Sequence, residues 1–196
     1  MDKQPLSVVF VGRPGSGKGT QSKLLAERLG CKRFSSGEHL KALIDAKGPL
    51  SELIRRDYDY GQLSPDWLAA YFFKEAIIDL PLAESFVCEG YPRNVRQAEV
   101  ADEILAWLGR EYTVLHLHVG EDEALKRQLE RAKTEHRPDS NNMEKIQARF
   151  DVYRNRTEPL LDFFKSKGNL VEINGEQTPD AIAADIQRAL GLPPLA

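Results

Sequence analysis

The residues from Gly12 to Thr20, which read GRPGSGKGT, have the types and spacing to do phosphate chemistry. They fit the pattern G-x-x-x-x-G-K, with an apolar run before them and a helical pattern after them. Glycines let successive backbone N–H groups turn inward around a polyphosphate. The start of the following helix adds positive potential, and a lysine neutralises the outer phosphates. Gly15, Ser16, Gly17, Lys18, Gly19 and Thr20 are therefore expected to cradle the phosphates of a nucleotide. Gly19 stands where this pattern usually has Ser or Thr, and the hydroxyl follows one residue later at Thr20.

Moving a phosphoryl group onto a second anion requires an acceptor pocket and cations to neutralise the charge in transit. The sequence offers both. Phe86 to Glu89 reads as a strand ending in a carboxylate, followed by the turn Gly90-Tyr91-Pro92 and Arg93. Ligands in open α/β sheets sit at the C-terminal ends of strands. Arg127, Arg131, Arg137 and Arg149 flank a short loop and its neighbouring helices, and Arg127 and Arg131, four apart, share a helix face. A guanidinium gives bidentate contacts and keeps its charge in a drying site. Each arginine alone reads as a solvated surface residue; the set carries the argument.

These residues must be positioned by regular elements. Short apolar runs at Leu6–Val11, Phe86–Glu89, Val114–Val119 and Leu170–Ile173 read as strands buried on both faces. Helical spacing predicts helices over Thr20–Leu29, Asp66–Asp79, Val95–Leu108, Glu121–Ala132, Glu144–Arg156 and Asp180–Leu190. Such alternation predicts an α/β fold of three layers, a parallel sheet between helices. Ser35 to Ser64 interrupts it with a charged, helical stretch, read as an insert on the ligand side. The chain is expected to be one domain, with a core of 1–34, 65–130 and 141–196, the insert at 35–64 and a short lid at 131–140.

With 196 residues the chain suits a single domain with a core large enough to need no staples. Its 27 Lys and Arg against 30 Asp and Glu give a net charge of −3, which argues against general nucleic-acid affinity. No apolar run approaches the length of a membrane span. Asp2, Lys3 and the early glycine-rich loop do not read as a signal peptide. Cys31 and Cys88 lack CxxC partners and fit a reducing cytosol.

Taken together, the chain resembles the nucleoside monophosphate kinases, most closely the short-lid adenylate kinases. The matching elements are Gly12–Gln21, Phe34–Glu38, Gly61–Pro65, Glu89–Arg93 with Gln97, Arg127–Asp139, and Arg149 with Tyr153. The resemblance implies a P-loop fold that reversibly moves the γ-phosphoryl group of ATP to AMP, giving two ADP with Mg²⁺. It implies that Ser36, Lys41, Gly90, Tyr91, Pro92 and Arg93 hold AMP, that Gln62, Leu63 and Ser64 line its base pocket, and that Gln97 reads the adenine edge. A carboxamide suits that edge because it offers a donor beside an acceptor. Arg127 and Arg131 and the region of Gln177 would meet ATP. Arg131 and Arg137 would come from the lid and meet Arg93 and Arg149 across the transferring group, with Lys18 on the donor side. Glu89 would hold Mg²⁺ through water. The lid is too short for a cysteine-rich zinc site, so no zinc is expected, and the protein would work as a cytoplasmic monomer on free nucleotides.

Several positions depart from the family pattern: Lys41 for Arg, Glu89 for Asp, Ser36 for Thr, and Asp139-Ser140 for paired aspartates. Two alternatives stand beside this reading, the second suggested by Lys41, Glu89 and Ser140. One is a UMP/CMP kinase, toward which Asn94 leans and against which Gln97 weighs. The other is a nucleotide-binding sensor or interaction module with little catalysis. His116 and His118 share a strand face, but the sequence shows no third metal ligand beside them, so ordinary packing is expected. Trp67 and Trp107 are expected to pack in the core or at its edge, and Arg127 is placed to pair with Glu123 or Glu130.

Overall fold

The computed structural model describes residues 5–134 and 140–193. Its centre is β1 (Ser7–Val11), whose five residues are all buried. Side chains alternate across a strand, so this one run feeds two cores. Val8 and Phe10 pack with Leu25 and Ala26 of α1 (Lys18–Leu29) and with Ile182 and Ile186 of α9 (Pro179–Ala189). Val9 and Val11 face the other layer, formed by α4 (Asp66–Ile78), α5 (Val95–Trp107) and α8 (Leu160–Ser166) through Phe73, Ala98 and Leu160.

Among the described residues, four further strands join β1 in a parallel sheet: β2 (Lys32–Ser35), β3 (Phe86–Glu89), β4 (Tyr112–His118) and β5 (Leu170–Asn174). Their spatial order is β2-β3-β1-β4-β5. Chain order reverses beside β1, which opens the crevice where α/β sheets bind ligands. The register aligns Glu89 with Phe10 on one side and Ser35 on the other, and it aligns Val11 with His116. The three-layer α/β architecture expected from the alternation is therefore observed.

Some elements differ from expectation. β2 is an added strand: Lys32 and Arg33 hide it from an apolar-run search, and its edge position explains why it tolerates them. The helix expected over Glu144–Arg156 is α7 (Met143–Val152) running into a π-helical turn, Tyr153–Thr157. α8 follows it and was not expected. Trp67 and Trp107 are 64% and 85% exposed, so they do not pack in the core. Both lie on helices whose buried faces are already filled, by Phe72, Phe73 and Ile77 on α4 and by Ala98, Ala101 and Leu105 on α5.

Between β2 and α4 lie α2 (Ser36–Asp45) and α3 (Ser51–Asp59). α6 (Glu121–Thr134) leads from β4 toward the segment expected to form a lid. Arg137 and Asp139, named above, lie outside the described residues. No helix among the described residues is long and apolar enough to cross a membrane.

Candidate active site

The turn from β1 into α1 forms a nest. Gly15 has φ +89°, and a Cβ there would meet the Ala124 carbonyl oxygen at 2.6 Å, so both conformation and space require glycine. The Lys18 ammonium folds back to donate to the carbonyls of Gly12 at 2.6 Å and Arg13 at 2.9 Å, and to Ser16 Oγ at 3.4 Å. Loss of water around it, opposed by Glu89 and reinforced by Arg93, Arg149 and Arg131, lowers its pKa from 10.5 to about 7. A cation that its surroundings hold so weakly is one that an incoming polyanion stabilises.

Glu89 closes the same crevice from the end of β3. Its carboxylate accepts from Ser35 Oγ at 2.8 Å and lies 4.0 Å from Arg33. Burial pushes this carboxyl up, but Lys18, Arg93, the Ser35 hydroxyl and Arg33 outweigh that and hold it below its ordinary value. An ionised carboxylate facing a phosphate nest suits Mg²⁺, which takes one or two carboxylates with phosphate and water oxygens.

The neighbouring turn is organised by side chains. Gly90 has φ +81°, and a Cβ there would meet Ser36 Oγ at 2.5 Å. That hydroxyl donates to the Gly90 carbonyl at 2.6 Å, and Arg93 Nε donates to the same oxygen at 2.8 Å. The Arg93 amide donates to Gln97 Oε1 at 2.8 Å, while Gln97 Nε2 donates to Asp66 at 2.8 Å. Asn94 caps α5 by accepting from the Gln97 amide at 2.9 Å and also donates to Asp66 at 2.7 Å. From the π-helical turn, the Thr157 hydroxyl donates to the Arg93 carbonyl at 2.9 Å.

A cavity of about 740 Å³ brings together Gly15, Gly17, Lys18, Gly19 and Thr20 with Lys41, Glu89, Arg93, Arg127, Arg131 and Arg149. A second cavity, about 610 Å³, brings Leu63 and Ser64 together with Tyr91 and Gln97, and Gln62 lines both. Ser16 is buried within the nest, and Pro92 lines a small pocket beside Gly90 and Arg93. Tyr91 is wholly buried and stacks on Phe73 at 4.7 Å, so its ring belongs to the core. Arg127 donates to Glu123 at 2.7 Å, the pairing anticipated from sequence, and to the Gly175 carbonyl at 2.8 Å. Gln177 turns its side chain to Asp185 at 2.8 Å and is not among the residues lining the cavity.

Sequence reasoning missed a second tier of residues. Arg149 donates to Gln128 Oε1 at 3.2 Å and to the buried Ser140 hydroxyl, which itself donates to Gln128 at 3.2 Å. Gln128 lies one helical turn before Arg131 on α6, and that shared face was its only signal in sequence. Arg33, Ser35, Asp66 and Thr157 were also missed, because each acts on a partner distant in the chain.

Among known proteins, the family model described as adenylate kinase matches residues 10–169. The adenylate kinase of Thermus thermophilus is 39% identical over 187 residues, covering 95% of this chain and 97% of that protein. The adenylate kinase of Porphyromonas gingivalis is 40% identical over 182 residues, 92% of this chain and 93% of the relative. That of Phocaeicola vulgatus is 37% identical over 186 residues, covering 94% and 98% respectively.

Proposed function

The chain belongs to the adenylate kinase family, and from that premise we propose how its own residues carry out the family's reaction. It is an ATP:AMP phosphotransferase, reversibly converting ATP and AMP into two ADP. The UMP/CMP and non-catalytic alternatives are not favoured. The observation that supports the assignment of residues is the meeting of Lys18, Arg93, Arg131 and Arg149 around one cavity with the Gly15–Thr20 nest.

ATP places its phosphates in that nest, with Lys18 on the outer ones. The AMP phosphate lies between Lys41 and Arg93, and its base reaches past Gln62 and Leu63 toward Gln97. A phosphate oxygen of AMP attacks the γ-phosphorus in line, the bond to the β-phosphate oxygen breaks, and the second ADP leaves. The acceptor oxygen is already anionic, so no strong base is needed. The protein supplies position, exclusion of water and positive charge. Arg93, Arg131 and Arg149 neutralise the equatorial oxygens as charge passes between nucleotides, and Arg137 of the lid is assigned the same work. The family uses Mg²⁺ with ATP; Glu89 would hold it through water, and the ion would supply positive charge against the phosphates.

Ser36, Asp66 and Gln128 hold these groups in place. The 35–64 insert and the 131–140 segment are the elements assigned to cover acceptor and donor. The reading extends to a monomer of the cytoplasm acting on free nucleotides, supported by two free cysteines and a net charge of −3. Initial rates with AMP, UMP, CMP and GMP test the acceptor: AMP is expected to lead, and a preference for UMP or CMP refutes the assignment of Gln97.

A further inference from the structure

The phosphoryl-transfer reading leaves the two histidines of β4 unused. His116 and His118 alternate with Leu117 and so share one face, and the register places Glu172 of β5 directly opposite His116. One ligand atom from each of these three residues lies within 4.8 Å of the other two. The strand face that lacked a third ligand in sequence acquires one through strand pairing.

His116 itself points to a ligand. It is 5% exposed, and its Nδ1 is buried with no hydrogen-bond partner, although Glu172 Oε2 stands 3.5 Å away. Native buried polar atoms are almost always satisfied. The other ring nitrogen, Nε2, lies 3.5 Å from the Tyr153 hydroxyl. A proton on Nε2, facing Tyr153, leaves the Nδ1 lone pair on the side of Glu172. Metal-binding imidazoles are arranged in this way, with the distal nitrogen fixed by an outer partner. His118 and Glu172 are exposed, so their side chains are free to close on an ion arriving from solvent.

We propose that His116, His118 and Glu172 bind one divalent transition-metal ion of the zinc class, with water completing the coordination. Two imidazoles and a carboxylate suit Zn²⁺; Mg²⁺ prefers an all-oxygen shell, so this site is separate from the one assigned to Glu89. The ion ties β4 to β5 at the level of Val11, the residue before the phosphate loop.

The test is calorimetric titration of the nucleotide-free full chain with Zn²⁺, using the parent, His118→Ala and Glu172→Gln. Both variants alter exposed side chains outside the phosphoryl-transfer machinery, so Mg²⁺-dependent activity in the absence of Zn²⁺ is expected to persist. The parent should bind one equivalent saturably, with each variant weaker by about tenfold or more. Co²⁺ in place of Zn²⁺ should give visible ligand-field absorption without a thiolate band, lost in His118→Ala. Zn²⁺ should also raise the unfolding temperature of the parent more than that of either variant. An isotherm unchanged in both variants, a thiolate band, or no saturable binding overturns the proposal.

Discussion

The proposed donor and acceptor halves of the cavity are held in shape by different means. The donor half is a backbone object: Gly15 exists to admit a turn, and Lys18 is pinned by the carbonyls of its own loop. The acceptor half is a relay of side chains running from Asp66 through Gln97, Arg93 and Gly90 to Ser36. The first is local in sequence and reads as one contiguous motif. The second joins residues from three separate segments, and any single link can be cut without altering the chain's course.

That contrast can be broken hardest at the charges common to both halves. Arg131→Ala is expected to lower turnover by about 10³, the scale of an arginine acting on the transferring group. A coupled assay for ADP checks it, and near-parental turnover removes Arg131 from the mechanism. Cutting the relay should act on one substrate only. Asp66→Ala strands the Gln97 and Asn94 amides, which costs about 1–3 kcal/mol. The KM for AMP is expected to rise by about tenfold or more while that for ATP stays put, and equal changes in both would mean that the two halves are not built separately.

The donor half has its own signature in pH. Lys18 falls from 10.5 to about 7 chiefly through loss of water. Between those values the nucleotide-free protein binds fewer protons at Lys18 than the unfolded chain, so its stability rises with pH across that window. A bound polyphosphate restores the ammonium. ATP binding should therefore take up a proton, and affinity should fall as pH rises above about 7, by no more than about tenfold per unit for one linked proton. Calorimetry in buffers of different ionisation enthalpy measures the uptake; none detected means Lys18 is charged before nucleotide arrives. The smallest effect is expected at Gly19, where a Cβ meets nothing within 4 Å. Gly19→Ser should stabilise helix α1 by about 0.5 kcal/mol and leave turnover within about threefold of the parent.

Legibility in sequence followed the same division. The apolar runs at β1, β3, β4 and β5 announced a parallel sheet because strands buried on both faces need no polar alternation. β2 did not, because an edge strand carries Lys32 and Arg33 without penalty. Gly12–Thr20 and Glu89–Arg93 were visible as motifs because each acts through consecutive residues. Gln128, which receives Arg149 beside Ser140, was not, nor was Asp66 behind Gln97. The exposure of Trp67 and Trp107 was hidden because helical spacing does not say which stripe meets the core. Glu172 was hidden because the register of β4 with β5 exists only once the sheet has formed.

In the proposed mechanism two anionic nucleotides meet end to end among Lys18, Arg93, Arg131 and Arg149. A crystal structure with two adenosines joined by five phosphates is the decisive experiment. The expected result is a phosphate chain running from the Gly15–Thr20 nest to Arg93, touched by all four cations, with the acceptor adenine beside Gln97. A phosphate chain that leaves Arg131 and Arg149 in solvent, or an adenine seated away from Gln97, would contradict it.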